Sequence, residues 1–160
     1  MSGNMSVEEF LKTAANPAYR YSHPDVNKAL QKRDCPLESD EQQTIFAWAR
    51  LMEHKHPELT LLVAVPNGGL RNMPEAVRFK AEGVRKGFPD MILPVARGAY
   101  HSLAIELKRR KGGGVSPEQK AWLAALSEQG WLAVVCRGAD EAVEVITEYL
   151  SQKYTKIQEE

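Results

Sequence analysis

The sequence lacks the features that mark several large classes of protein. Cysteine occurs only twice, at Cys35 and Cys136, which is too few for a disulfide scaffold. The longest apolar runs have the length of a strand, far below the ~20 residues of a membrane-spanning helix, and no signal-peptide pattern opens the chain. These absences predict a cytoplasmic protein with reduced thiols and no membrane partner.

An excess of positive charge is also lacking. The 21 lysines and arginines balance the 21 aspartates and glutamates, so the formal net charge is zero. A protein that coats nucleic acid through many phosphate contacts is strongly basic, so the composition does not predict general binding of that kind. Positive charge is concentrated instead in the run Lys108-Arg109-Arg110-Lys111, which three glycines follow.

The chain does contain enough apolar material for one core. Hydrophobic residues make up 43% of the 160 residues, which suits a single globular domain. Apolar periodicity and turn residues predict the element order α-β-α-β-β-α-β, and therefore an α/β fold with a central mixed β-sheet flanked by helices. We predict an N-terminal extension of loop or short helix at residues 1–38, the domain at 39–152 and a polar tail at 153–160.

Local signals predict where the elements lie. Ser116 is a favourable helix N-cap because Pro117 follows it and Gln119 completes a capping box. Gly130 is expected to end that helix. The predicted elements are helices at 40–55 and 74–86, a helix opening at 117, a last helix after 140, and strands at 59–65, 91–93, around 105–107 and at 131–136.

Two of the predicted strands carry acids in an unusual arrangement. Asp90 comes just before the apolar run Met91-Ile92-Leu93, while Glu106 and Lys108 lie two residues apart in the next strand. Residues i and i+2 of a strand point to the same face, so Glu106 and Lys108 should project together. An antiparallel hairpin centred near Gly98 would set Asp90 opposite Glu106. The sequence therefore predicts a small site with two carboxylates and an ammonium.

Such a site has a plain chemical interpretation. Carboxylate oxygens suit Mg²⁺ or Mn²⁺, and such an ion polarises a phosphodiester and lowers the pKa of a bound water. Lys108 could position that water or stabilise charge on the phosphate. The alternative is an ion pair on a solvated sheet face, contributing only ~0–1 kcal/mol. The preceding Pro89-Asp90 favours the metal site.

The order and spacing of these residues resemble a known family. Pro89-Asp90 followed by Glu106-Leu107-Lys108 resembles the PD-(D/E)xK nuclease signature. Four further features narrow the resemblance to the VRR-NUC domain, over about residues 38–150. These features are Glu41 at the start of the first predicted helix, Asn67-Gly68-Gly69 after a strand, Gly87 before the acid, and Gln119 opening the helix after the second acid.

The resemblance implies a restriction-endonuclease-like core and a Mg²⁺- or Mn²⁺-dependent DNA endonuclease. Asp90 and Glu106 would bind the metal, with the backbone carbonyl of Leu107 as a third ligand. Lys108 would act on the attacking water. The catalytic set implied by the resemblance is completed by two supporting residues, Glu41 and Gln119.

The supporting residues also have simpler explanations. Glu41 could be only a favourable charge in the first turn of a helix, and Gln119 only the capping partner of Ser116. The segment Asn67-Gly68-Gly69 could be a plain turn or a loop that approaches DNA closely. Arg109, Arg110 and Lys111 could form a solvated surface, although their position beside the site favours contact with DNA phosphates.

The resemblance also implies a substrate. Small proteins of this family resemble homodimeric enzymes of bacteria or phage-infected cells that cut branched DNA such as four-way (Holliday) junctions. Two alternatives stay open. One is a flap or restriction-like nuclease of the same superfamily, and the other is a DNA-binding module without catalytic activity.

Overall fold

The computed structural model describes residues 36–66 and 78–153. Several sequence predictions lie outside these residues, namely Asn67, Gly68 and Gly69, nearly all of the predicted extension, and the end of the tail. The elements are α1 (Glu38–Met52), a 3-10 helix (Pro57–Leu61), β1 (Val63–Ala64), β2 (Met91–Leu93), β3 (Leu103–Lys108), α2 (Pro117–Glu128), β4 (Leu132–Arg137) and α3 (Gly138–Ser151).

The strands form one mixed sheet in the order β1-β2-β3-β4. The pairs β1–β2 and β2–β3 are antiparallel, whereas β3 and β4 are parallel. A parallel pair needs a crossover connection, and α2 provides it between β3 and β4. The predicted α/β fold with a mixed sheet flanked by helices is therefore confirmed.

The register of the β2–β3 hairpin decides which side chains meet. Met91 pairs with Ile105, and Leu93 pairs with Leu103. Continuing this antiparallel register by one residue sets Asp90 opposite Glu106, as the sequence predicts. The two acids therefore lie at the same end of neighbouring strands.

Alternation along β3 separates a core face from a site face. Leu103, Ile105 and Leu107 are fully buried in the main hydrophobic cluster, to which α1 and α3 also contribute. Each such side chain contributes about 1.5–3 kcal/mol relative to an exposed one. The helices α1 and α3 pack on each other and on β3, while α2 packs on β3 and β4. Glu106 and Lys108 point to the opposite face, on the side of α2.

Helix α1 matches its predicted core stripe but not its predicted ends. Ile45, Trp48 and Met52 are almost completely buried, which confirms the apolar face. The helix begins at Glu38 rather than at residue 40 and ends at Met52 rather than at 55. The earlier start has a consequence for the site, because it places Glu38 in the first helical turn.

The prediction of a strand at 59–65 was largely wrong. Pro57 opens a 3-10 helix that runs to Leu61, and only Val63–Ala64 form a strand. Within the short helix, the hydroxyl of Thr60 donates to the Pro57 carbonyl, at 2.7 Å. The apolar run could not reveal this turn, because a buried Leu59 suits either structure.

Two other boundaries differ from the predictions. Within the helix predicted at 74–86, residues 78–81 are helical and 82–86 are not. Gly83 follows the helical residues with a φ of +92°, a conformation that favours glycine. Strand β4 starts one residue later than predicted and is mostly half-buried, because it lies at the edge of the sheet.

Among residues 36–66 and 78–153, no helix is long and apolar enough to cross a membrane.

Candidate active site

The hairpin end brings the two predicted acids together. Asp90 lies just before β2, and its Oδ2 accepts a hydrogen bond from the backbone N–H of Leu107, at 2.9 Å. The backbone carbonyl of Asp90 in turn accepts from the Val65 N–H, at 2.8 Å. Asp90 is thus fixed from both neighbouring strands, directly beside the Glu106-Leu107-Lys108 segment.

Glu106 is the most buried acid of the site, with no exposed surface. Its Oε1 accepts two hydrogen bonds, from Lys108 Nζ at 2.6 Å and from Gln119 Nε2 at 2.5 Å. Its other oxygen, Oε2, is also buried, and no donor among the described residues reaches it. A buried carboxylate oxygen without a donor is costly, so Oε2 marks a position that favours a cation.

The surroundings of Glu106 act on its protonation. Burial, and to a smaller degree the neighbouring Asp90, raise the pKa of Glu106 to about 7, although the hydrogen bond from Lys108 opposes the rise. Two neighbouring carboxylates with one ammonium leave the site short of positive charge when both acids are ionised. A divalent cation would supply that charge.

The donor set fits Mg²⁺ or Mn²⁺. Among the described residues, no three Asp, Glu, His or Cys side chains are grouped as a complete metal site. Asp90 and Glu106, which meet at the hairpin end, would be the side-chain ligands, and Mg²⁺ is commonly held by one or two carboxylates while keeping several waters. The carbonyl oxygen of Leu107 lies 3.2 Å from Lys108 Nζ, so it faces the same site and could be a third ligand.

Lys108 brings a buried positive charge to the site. Its residue surface is only 5% exposed, and its ammonium donates to Glu106 Oε1 and to the Leu107 carbonyl. Glu38 Oε1 lies 4.0 Å from the same nitrogen. An ammonium has three donors, so this group is held in place by its neighbours at the hairpin end.

Sequence reasoning missed Glu38. Burial raises the pKa of Glu38, Lys108 lowers it, and Asp90 raises it, so the carboxylate lies within the electrostatic reach of the site. The omission follows from the predicted helix start at residue 40, which left Glu38 outside the helix. An earlier start would have placed Glu38 and Glu41 one turn apart and made both of them candidates.

Glu41 lies in a different setting from the one the resemblance implies. It is 2% exposed, and its carboxylate accepts from Arg110 Nε at 2.7 Å and Nη2 at 3.3 Å. The same carboxylate accepts from the N–H of Ala139, at 2.8 Å, in the first turn of α3. A helix N-terminus favours a negative charge. Glu41 therefore joins α1, the end of β3 and α3.

Gln119 forms the predicted cap and also contacts Glu106. Its side-chain Oε1 accepts from the Ser116 N–H at 2.8 Å, and its own N–H donates to Ser116 Oγ at 3.2 Å, so the predicted capping box is present. Its Nε2 also donates to Glu106. The residue that opens α2 therefore also fixes the orientation of a site carboxylate.

The conformation and close contacts of Gly87 explain why a glycine stands shortly before Asp90. Its φ is +85°, and a Cβ at this position would lie 2.8 Å from the backbone carbon of Glu118 and 2.9 Å from the N of Gln119. Only a residue without a side chain allows the 87–90 segment to approach the first turn of α2 so closely. This contact brings Asp90 and Gln119 to the same site.

The basic run divides into two kinds of residue. Arg109 and Lys111 are exposed, and the charge of Arg109 lowers the pKa of Glu38, which places it near the site. Arg110 is also exposed, with 42% of its side-chain surface accessible, but it is bound by two carboxylates, Glu41 and Asp140, with Nη1 2.5 Å from Asp140 Oδ2. The structure therefore gives Arg110 an internal role as an ion-pair partner.

Fold and site together define an α/β protein with a restriction-endonuclease-like core. The family model of the VRR-NUC domain matches residues 18–140, and the chain belongs to this family of nucleases. The match begins within the segment that was predicted to be an extension. A solved VRR_NUC domain protein is 32% identical, with a TM-score of 0.65 and coverage of 74% of this chain and 92% of that one. No curated protein matches the sequence.

Proposed function

We propose that this protein is a Mg²⁺- or Mn²⁺-dependent endonuclease that hydrolyses phosphodiester bonds in DNA. The observation that carries the proposal is the buried Oε2 of Glu106, which has no donor among the described residues and lies beside Asp90. The membership of a nuclease family supports it.

Each residue of the site has a defined task in this proposal. Asp90, Glu106 and the Leu107 carbonyl hold the ion, which when bound supplies Lewis-acid catalysis and an activated nucleophile. Lys108 donates to the attacking water or to a phosphate oxygen, where negative charge builds. Gln119 and Lys108 occupy Oε1 of Glu106 and thereby leave Oε2 for the ion.

The exposed cations beside the site are the proposed contacts to the DNA backbone. Arg109 and Lys111 follow the catalytic lysine directly and are exposed. Arg110 instead forms ion pairs with Glu41 and Asp140, so we do not count it among these contacts. On sequence grounds alone, we keep the segment Asn67-Gly68-Gly69 as a loop that approaches the DNA.

We further propose a homodimer that cuts four-way junctions. The described residues of one 17.9 kDa chain form one such site, whereas resolving a junction needs two nicks in strands related by approximate two-fold symmetry. A two-fold dimer repeats the site at a fixed spacing. Leu61 and Val63 are large exposed apolar side chains at the β1 edge and offer surface for such an interface.

A cleavage assay on a panel of DNA substrates tests the proposal. Purified protein would be incubated with duplex, flap, splayed-arm and four-way-junction DNA in Mg²⁺, Mn²⁺ or Ca²⁺. We expect metal-dependent cleavage, fastest on the junction, and little turnover in Ca²⁺, whose looser coordination fits the site poorly. Light scattering should give about twice the chain mass.

Variants provide the controls for that assay. Asp90→Asn and Glu106→Gln should abolish cleavage, whereas Glu144→Gln, which removes an exposed carboxylate on α3, should not. Binding without any metal-dependent cleavage would instead support a non-catalytic DNA-binding module. A monomer that prefers flaps would retain the nuclease assignment and reject the junction.

A further inference from the structure

A cleft with a largely apolar lining lies beside the active site. Its volume is about 350 Å³, within the usual range for sites that bind small molecules or parts of larger ligands. Five of the residues that line it matter to the argument, namely Val65, Val84, Arg85, Phe88 and Trp122. None of them has a task in the proposed cleavage chemistry.

Two aromatic rings form one wall of the cleft and are held in place. Phe88 and Trp122 meet edge to face, with ring centroids 5.0 Å apart and an interplanar angle of 72°. The indole N–H of Trp122 donates to the Lys86 carbonyl, at 3.2 Å. Both rings are only partly buried, so they present fixed aromatic surface to the cleft.

The chain segments that line the cleft also carry two of the proposed catalytic residues. Phe88 precedes Asp90 by two residues, and the N–H of Val65 donates to the Asp90 carbonyl, at 2.8 Å. Trp122 follows Gln119 by three residues on α2, so the two side chains lie on the same side of the helix. The segments that hold Asp90 and Gln119 are thus the segments that build the cleft.

Charge at the cleft suits a ligand that carries a phosphate. Arg85 contributes a cation to the lining. Next to it, the exposed ammonium of Lys86 is already paired with Glu118, whose Oε1 lies 2.7 Å away, so Arg85 carries the positive charge of the lining. A flat apolar body attached to an anionic backbone is the chemistry of a nucleotide, and aromatic and arginine side chains are the usual partners of unstacked bases.

We propose that this cleft receives one unpaired nucleobase of the DNA substrate, stacked on Trp122 beside the cleavage site. The proposal rests on the proposed function and extends it: a base next to the scissile bond, at the branch point of the junction, leaves its pair when the DNA is bound. A paired base cannot enter without first leaving the stack, which costs energy and makes the cleft selective. Truncating an aromatic stacking partner typically weakens binding about 5- to 150-fold.

Equilibrium binding separates this proposal from the cleavage chemistry. The full chain carrying Asp90→Asn would be titrated, in Ca²⁺, with three DNAs of equal length: a duplex, the same duplex with one unpaired thymidine, and that DNA with an abasic residue in place of the thymidine. We expect the unpaired thymidine to bind at least about 5-fold more tightly than both others. The abasic DNA has a similar backbone distortion, so it isolates the contribution of the base.

Variants then locate the base. In the same background, Trp122→Ala should remove the preference for the base, whereas Trp122→Phe, which keeps an aromatic face, should retain most of it. Leu123→Ala alters the neighbouring half-buried position of α2 and should leave the preference unchanged. Equal affinity for the thymidine and abasic DNAs, or an undiminished preference in a folded Trp122→Ala protein, would overturn the proposal. Neither result depends on cleavage, so the nuclease assignment is tested separately.

Discussion

Asp90 and Leu107 are joined by a hydrogen bond of 2.9 Å from the Leu107 N–H to the Asp90 carboxylate. This bond ties the acid of one strand to the residue between Glu106 and Lys108 on the next. The catalytic groups proposed here are therefore fixed to one another by the hairpin itself. Substitutions in the hairpin, or in the residues that contact it, should therefore change metal binding, cleavage or stability.

The first prediction concerns pH and metal. Because burial raises the pKa of Glu106 from 4.5 to about 7, the metal-free protein keeps the stability contributed by this group fully below pH 4.5 and loses it as pH rises through about 7. Mn²⁺ binds the ionised carboxylate, so adding Mn²⁺ should restore the lost stability above about pH 7. Thermal unfolding should show a larger rise of Tm on adding Mn²⁺ at pH 8 than at pH 6, and Glu106→Gln should remove most of that difference. An equal rise at both pH values would contradict the role of Glu106.

The second prediction concerns Gly87. An alanine at this position would have to adopt a positive φ, which costs about 1–2 kcal/mol. Its Cβ would also lie only 2.8 Å from the backbone of α2. Gly83 is a matched control, because its φ is +92° but no atom lies within 4 Å of an added Cβ. Denaturant unfolding should show that Gly87→Ala destabilises more than Gly83→Ala, and Gly87→Ala should slow cleavage more than Gly83→Ala does. Equal effects of the two substitutions would argue that the approach to α2 is unimportant.

The third prediction separates Glu38 from Glu41. Glu41→Gln should lower the free energy of unfolding by about 1–3 kcal/mol, because it weakens the buried contacts to Arg110 and the Ala139 N–H. Glu38→Gln should change stability little and reduce cleavage, since Glu38 lies near Lys108. Chemical denaturation and cleavage rates on the same two proteins measure both effects. Lost cleavage with unchanged stability in Glu41→Gln would instead place Glu41 in the catalytic machinery.

The fourth prediction concerns the basic run. Replacing Arg109 and Lys111 with glutamine should weaken binding to all DNA sequences and make the salt dependence of log K shallower, by up to ~0.9 per lost duplex contact. Arg110→Gln should leave that slope unchanged and lower stability, because Arg110 pairs with Glu41 and Asp140. Binding titrations at several salt concentrations give the slopes. A shallower slope in Arg110→Gln would assign this residue to the DNA as well.

Local rules predicted the hairpin and the start of α2. The i, i+2 relation of Glu106 and Lys108 and the symmetric spacing about Gly98 fix the pairing of the acids, because register in a short hairpin follows from distance along the chain. The predicted capping box of Ser116 and Gln119 is also present, because its two residues are only three positions apart. Signals of this kind depend only on residues close in sequence.

Partners distant in sequence could not be predicted in the same way. Arg110 and Glu41 are 69 residues apart, and nothing local shows that their charges meet rather than face DNA. The contact between Gly87 and Glu118 likewise exists only because the hairpin and α2 fold together. Glu38 was not predicted as a site residue because the predicted helix start, residue 40, was two residues too late. The ends of helices and strands are the hardest part of an element to place.

Binding of Mn²⁺ by the pair Asp90 and Glu106 tests the central claim most directly. Free Mn²⁺ can be measured by its EPR signal during a titration of the full chain and of its Asp90→Asn and Glu106→Gln variants, each first shown to be folded. The site geometry predicts that the unmodified protein binds the ion and that either substitution weakens binding at least about 10-fold, as expected when one of two carboxylate ligands is lost. Undiminished Mn²⁺ affinity in both folded variants would contradict the assignment of the metal to these two acids.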